Sequence, residues 1–319
     1  MNQSTNPSEN KFPKGSYPAM PTAFHRDGAI DWEGVDRLTD HCIASGAAGI
    51  FACGGSAEIA QMDDDEITQL AERITKRTAG QVPIVACAIS TEPIEAQAAL
   101  VSRIHDAGAD AIALGVYQLA GEEENDDTWI RNAETLLELI SSDVRLAMYE
   151  CPQPYHRLVS EQTISWAASS GRFHFLKDTC CHVETIRKRL EIIAGSPLQL
   201  FNANTETLLE SLQAGVDGFC GIGANYQPEL YAWLCKNYEA EPKLAAELHR
   251  FLDGTVVLTE DSTYPASAKN YLQQRGLAIG GFSRKMPAGV TAEGSARLGK
   301  MLEQERKWLE RLGVPPTFV

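Results

Sequence analysis

The chain has 319 residues, 44% of them apolar and 22% charged, enough for one large core, and its 43 acidic and 28 basic residues leave a net charge of -15. No segment forms a basic stripe, which argues against nucleic acid or an anionic membrane as partner. No run reaches the roughly 18 apolar residues of a spanning helix, and residues 1–14 lack the apolar segment of a secretory leader.

Eight cysteines, at 42, 53, 87, 151, 180, 181, 220 and 235, are scattered, several of them inside apolar runs. They read as free thiols of a reducing cytoplasm, the expected compartment.

Residues 1–15 are polar and expected to form a disordered lead. Beyond them short apolar runs alternate with longer amphipathic stretches. The runs fall at 16–25, 49–54, 82–89, 111–117, 145–151, 173–179, 198–204 and 218–223. The helical stretches between them begin near Asp31 and then cover 63–80, 92–108, 127–142, 160–170, 183–194, 205–214 and 227–238. Eight strand-helix units in unbroken alternation predict a (β/α)8 barrel over 16–240. A doubly wound open sheet is the runner-up, but no Gly-x-Gly-x-x-Gly follows the first run. After 240 the alternation stops, and helical patterns at 241–253, 265–275 and 292–312 predict a C-terminal helical region over 241–319.

A barrel of this kind carries its active site at the C-terminal ends of the strands. Of the eleven lysines, only Lys177 ends a strand-like run, Phe173-His174-Phe175-Leu176-Lys177. An ammonium there loses hydration and has to be paired or chemically employed. It is either an imine-forming nucleophile for a ketone or the partner of a carboxylate such as Asp178. Tyr149 ends the preceding run and can deliver a phenol to the same mouth as proton donor; the alternative is a ring packed with its hydroxyl at the solvent edge. Gly54-Gly55-Ser56 offers amides and a hydroxyl for a carboxylate, or is simply a turn. Tyr117 is an equally ambiguous strand-end tyrosine. A metal on Cys180, Cys181, His182 and His174 is not expected, because adjacent cysteines lack ligand spacing and His174 falls on the strand face opposite Lys177. A cysteine nucleophile at Cys151 or Cys53 would need a rim histidine, and none of the seven histidines is clearly placed there.

With these residues in place, the chain resembles the dihydrodipicolinate synthase and N-acetylneuraminate lyase family of lysine-dependent aldolases, from about residue 16 to 312. The resemblance rests on Gly54-Gly55-Ser56-Ala57-Glu58, Tyr149-Glu150-Cys151-Pro152, Leu176-Lys177-Asp178-Thr179, Gly221-Ile222-Gly223-Ala224-Asn225, and Pro265 and Lys269 with Gly276 and Arg284. It implies a cytoplasmic lyase whose Lys177 forms a Schiff base with pyruvate or another 2-keto acid, with Tyr149 moving the proton. It also implies a carboxylate held at Gly55, Ser56 and Gly223, and no metal or organic cofactor. It further implies that Tyr117 reaches a neighbouring subunit's site in a homodimer or homotetramer.

The chain departs from the family at three positions. Pro154 stands where synthases have an arginine, the next one being Arg157; Gly55 replaces the first of two hydroxyl residues; and Ala57 replaces a glycine. A sugar-acid dehydratase of the same family is the alternative enzyme. A non-catalytic keto-acid binder is the alternative outside enzymes.

Overall fold

The computed structural model describes residues 11–259 and 262–317. Eight parallel strands are present: β1 (Gly15–Ser16), β2 (Ile50–Ala52), β3 (Ile84–Cys87), β4 (Ala111–Gly115), β5 (Leu146–Tyr149), β6 (Phe173–Asp178), β7 (Gln199–Asn202) and β8 (Gly218–Phe219). They pair in the order β1-β8-β7-β6-β5-β4-β3-β2, and the Ala19–Phe51 bridge closes the ring, with Met20 N donating to Phe51 O at 3.0 Å. The helices α1 (Trp32–Ala44), α2 (Asp64–Thr78), α3 (Ile94–Asp106), α4 (Asp126–Leu139), α5 (Glu161–Ser170), α6 (Val183–Ile193), α7 (Leu208–Ala214) and α8 (Pro228–Asn237) follow the strands in turn. The result is a (β/α)8 barrel. Three further helices, α9 (Pro242–Thr259), α10 (Ala266–Gln274) and α11 (Ala292–Leu312), extend it. No helix among the described residues is long and apolar enough to cross a membrane.

Local chemistry sets the helix starts. Asp31, Asp63, Asn125, Ser160 and Thr291 each accept a hydrogen bond from the backbone N–H three residues on, satisfying a donor that the first turn leaves open. The first apolar run yields only a two-residue ladder and isolated bridges, because Pro18 and Pro21 cannot donate to a neighbour. Of the lead expected over 1–15, residues 1–10 lie outside the described residues. From Lys11 onward the backbone is already tied down: Phe12 is buried and exchanges hydrogen bonds with the Gln199 amide, at 2.6 Å to Oε1 and 3.0 Å from Nε2.

Phe12 begins a column of rings inside the barrel. It meets Phe175 edge-on at 5.8 Å; Phe175 stacks on Phe201 at 4.0 Å and lies 6.2 Å from Phe51; and Tyr17 packs edge-on against Phe201 at 4.8 Å. Strict alternation along β6 would place Phe173 in this column too. Instead the register slips by one residue, Leu146 pairing with Phe173 and Ala147 with Phe175. Phe173 therefore packs outward against Trp129 and Trp166 of the helix layer, at 6.2 and 5.9 Å. Phe175 and Lys177 then face inward, and Asp178 faces the helices.

Tyr149 is the register partner of Lys177. The residue after each is a carboxylate turned outward, and one buried guanidinium holds both: Arg189 of α6 donates to Glu150 Oε1 at 2.6 Å and bonds Asp178. Arg189 also donates to Val159 O at 2.7 Å, while Glu150 accepts from the amides of Val159 at 2.8 Å and Thr179 at 2.6 Å. Removing one partner from a buried ion network leaves uncompensated charge, which costs about 3–5 kcal/mol. Arg189→Met should lower unfolding stability by roughly that amount in denaturant titration. A loss below about 1 kcal/mol would mean that the triad behaves like an exposed surface pair.

Candidate active site

Lys177 and Tyr149 open together into a cavity of about 300 Å³ at the C-terminal mouth of the barrel. Lys177 is 4% exposed, and its Nζ stands 4.4 Å from the ring centre of Phe51 and 4.5 Å from that of Tyr149. Among the described residues no carboxylate lies within ion-pair distance of it, because Asp178 is taken by Arg189. The ion-pair alternative for Lys177 thus does not occur, and its amine is left to a ligand.

The Tyr149 ring sits edge-on to Phe51 at 5.4 Å. Burial, followed by the Cys151 and Cys87 thiols beside it, pushes the phenol well above its ordinary pKa, so it stays protonated and can donate. The thiols around the mouth are held neutral as well. Burial raises Cys53 to about 12, Cys220 to about 11, and Cys87 well above its usual value despite the nearby Lys177. A protonated thiol is a poor nucleophile.

The turn after β2 is a one-turn helix, Gly55–Ala57. A Cβ at Gly55 would lie 3.5 Å from the Tyr149 hydroxyl, so this glycine borders the phenol. Ser56 Oγ accepts from the Tyr264 hydroxyl at 2.5 Å, and that hydroxyl in turn accepts from Asn225 Nδ2 at 2.7 Å. The Ser56 hydroxyl hydrogen therefore remains for a ligand. Glu58 closes the turn in a left-handed conformation, φ 66°. It is held there by Lys269 Nζ at 2.5 Å, Ser283 Oγ at 2.9 Å and Lys285 N at 2.8 Å, which fasten the C-terminal helical region to the site.

The remaining expected residues are placed less directly. Gly223 is not on the cavity wall; Gly221 and Ile222 are, and Gly223 lacks a side chain because its Cβ would meet the Tyr231 hydroxyl at 2.1 Å. Tyr117 is buried beside Tyr155, ring centres 5.7 Å apart, and lines a smaller adjoining cavity with Gly55 and Cys151. Arg157 does not reach the mouth: it donates to the carbonyls of Gly121 and Glu124 at 3.1 and 2.9 Å and pairs with Asp126 at 3.0 Å. His174 is outside the cavity, and burial lowers its pKa to about 4. Among the described residues no group of three or more His, Cys, Asp or Glu is arranged to hold a metal ion.

Three contributors escaped sequence reasoning. His156 reaches the rim, where the sequence had clearly placed no histidine; it sits seven residues past Tyr149 in a proline-rich loop with no periodicity to place it. Tyr264 arrives from 208 residues beyond Ser56. Arg189 carried only one signal, an arginine on the second turn of an otherwise amphipathic helix.

The comparisons agree with this geometry. The profile of the Dihydrodipicolinate synthetase family matches residues 12–305. The 4-hydroxy-tetrahydrodipicolinate synthase of Methanothrix thermoacetophila is 24% identical over 91% of this chain and 96% of its own length, and that of Marinobacter nauticus is 26% identical over 70% and 74%. The crystal structure of YagE, a prophage protein of E. coli K12 solved in complex with pyruvate, superposes with a TM-score of 0.83 at 21% identity, covering 92% of this chain and 98% of that one. With the barrel, the strand-end lysine and tyrosine and the profile match in agreement, the chain belongs to the dihydrodipicolinate synthetase family, a family of lyases.

Proposed function

We propose that this lyase works through a Schiff base on Lys177 with pyruvate or a related 2-keto acid, and makes or breaks a carbon-carbon bond next to it. The observation that carries the reading is the pairing of an amine free of carboxylates with a protonated phenol at the same register of adjacent strands. The E. coli relative crystallised with pyruvate supports a keto acid as the first substrate.

In this mechanism the Lys177 amine adds to the C2 carbonyl. Tyr149 protonates the carbinolamine hydroxyl, which leaves as water, and the iminium that remains draws electrons from C3. The Tyr149 oxygen, left deprotonated by that step, takes a C3 proton, which restores the phenol and gives an enamine that attacks an aldehyde carbon. The phenol gives its proton to the oxygen that becomes a hydroxyl, and hydrolysis of the new iminium returns the amine. Retro-aldol cleavage is the same path reversed. Ser56, with its hydroxyl hydrogen free, and the Gly55–Ser56 amides seat the keto-acid carboxylate. The phenyl faces of Phe51 and Tyr149 accommodate the cationic nitrogen of the iminium.

The chemistry needs no metal or organic cofactor. None of the eight cysteines is in a disulfide, which supports a reducing cytoplasm as the compartment. A dimer or tetramer in which Tyr117 meets a neighbouring site follows from the family resemblance.

Lys177→Ala should abolish pyruvate-dependent turnover while leaving circular dichroism and the melting profile intact; retained turnover would rule out the imine. Tyr149→Phe should slow catalysis by ~10² or more, as for a lost general acid, in steady-state assays. An unchanged rate would remove Tyr149 from its role. Dialysis against EDTA should leave the rate unchanged, and a loss restored by a divalent cation would contradict the cofactor-free mechanism.

A further inference from the structure

Part of the wall of the Lys177 cavity is made of loops. The loop after β5 supplies Pro152 and His156, and the loop after β6 supplies Thr179 and Cys181. A loop lines a site reproducibly only where its backbone is tied down. Here one carboxylate that faces away from the cavity ties both.

Glu150 is fully buried. Its Oε1 accepts from Arg189 Nη2 at 2.6 Å and from Val159 N, at the end of the first loop, at 2.8 Å. Its Oε2 accepts from Thr179 N, at the start of the second loop, at 2.6 Å. The Thr179 hydroxyl donates to Glu150 O at 2.8 Å, and Arg189 donates to Val159 O at 2.7 Å. Asp178 Oδ1 holds the next amide, Cys180 N, at 2.9 Å. Cys181 then stands at φ 57°, a left-handed conformation that a residue other than glycine keeps only where its surroundings over-determine it.

The two oxygens of Glu150 are unequal. Oε1 answers to a guanidinium and an amide, Oε2 to the Thr179 amide alone. A proton taken up by Glu150 therefore settles on Oε2, and the Thr179 amide is left facing a neutral hydroxyl, a weaker acceptor than a charged oxygen. Burial, then the Asp178 charge from β6, raises this carboxyl to about 7 against the pull of Arg189 from α6 and the Val159 amide. The Cys180 thiol, pushed up to about 12 by burial and by Asp178, adds no charge. His156 touches the network at one remove, through Thr179 Oγ1 at 2.7 Å, and the exposed Glu161, His182, Glu184 and Lys188 line an outer cavity of about 340 Å³ with Arg189.

We propose that Glu150 is a positioning residue of the Lys177 reaction: its negative charge holds the loop after β6 against the cavity, so that the keto acid is bound tightly when Glu150 is ionised and loosely when it is protonated. This rests on the Schiff-base reading above and goes beyond it by giving control of binding to a residue that does not touch the substrate.

Exchange of the pyruvate methyl hydrogens in D2O, followed by NMR as a function of pyruvate concentration, yields kcat and KM for enamine formation. In the wild type KM should fall by roughly tenfold between pH 6 and pH 8, the value of one strengthened hydrogen bond. Glu150→Gln keeps an acceptor for Arg189 and Val159 but turns an NH2 group toward Thr179 N. It should therefore show the raised KM at both pH values, with kcat changed by less than about threefold. Both histidines remain in this variant, so a pH limb that it abolishes belongs to Glu150. Its melting temperature at pH 8 should stay within a few degrees of the wild type, because a carboxyl whose pKa is raised by folding destabilises the fold once ionised, and the amide removes that charge. A variant with the wild-type KM and pH limb overturns the proposal. So does one that loses kcat and melting temperature together without a separate change in KM. Should the variant fail to fold, amide hydrogen exchange of the wild type decides. Corrected for the intrinsic rate, Thr179 should be less protected at pH 6 than at pH 8 while Val159 is not, and equal protection of Thr179 at the two values overturns the proposal. Absence of Lys177-dependent exchange of pyruvate would instead overturn the Schiff-base reading, and the amide measurement would still test the positioning by Glu150.

Discussion

One guanidinium sets the geometry on which the chemistry depends. Arg189 reaches from α6 to the two carboxylates that follow Tyr149 and Lys177, and so ties the ends of β5 and β6 at a single point behind the site. Strand alternation does the rest: a carboxylate turned out at Glu150 and Asp178 obliges the phenol and the amine to turn in. Two carboxylates around one cation carry a net negative charge in a dry setting. Burial and the Asp178 charge accordingly raise the Glu150 carboxyl above its ordinary range against the pull of Arg189. The extra bonds from the Val159 and Thr179 amides satisfy its oxygens, and a buried ion network needs such bonds to persist.

On the inner side the environment is the opposite. Lys177 meets aromatic faces and neutral thiols, with its would-be counter-ion Asp178 turned to the other face of the strand. The same low-polarity surroundings keep Tyr149 and the Cys53, Cys87 and Cys220 thiols protonated. The turn after β2 is held from farther away. Ser56 and Glu58 are fixed by Tyr264, Lys269 and Ser283, which makes the C-terminal helical region part of the site's frame.

The barrel was legible in the sequence because eight apolar runs alternate with eight amphipathic ones, and Lys177 was legible because a lysine at the end of a buried run is rare. Tyr149 followed from its place at the end of the neighbouring run. What escaped depends on long-range contact or on irregular backbone. The slip at Phe173–Phe175 breaks the period-two rule that predicts which ring enters the barrel. His156 lies in a loop whose prolines erase any pattern. Tyr264 and Arg189 meet their partners across 208 and 39 residues, distances over which a pattern in one chain carries no information. Gly223 matched a family motif, and the structure adds a packing reason for it to be glycine, because Tyr231 lies against it.

The central claim is that Lys177 bonds covalently to a 2-keto acid. The direct measurement is to incubate the protein with pyruvate, reduce with borohydride, digest, and locate the added mass by tandem mass spectrometry. The account predicts a reduced pyruvate adduct on Lys177 and none on the other ten lysines. An adduct elsewhere, or none with pyruvate or any longer keto acid, would contradict it and leave the site as a binding pocket.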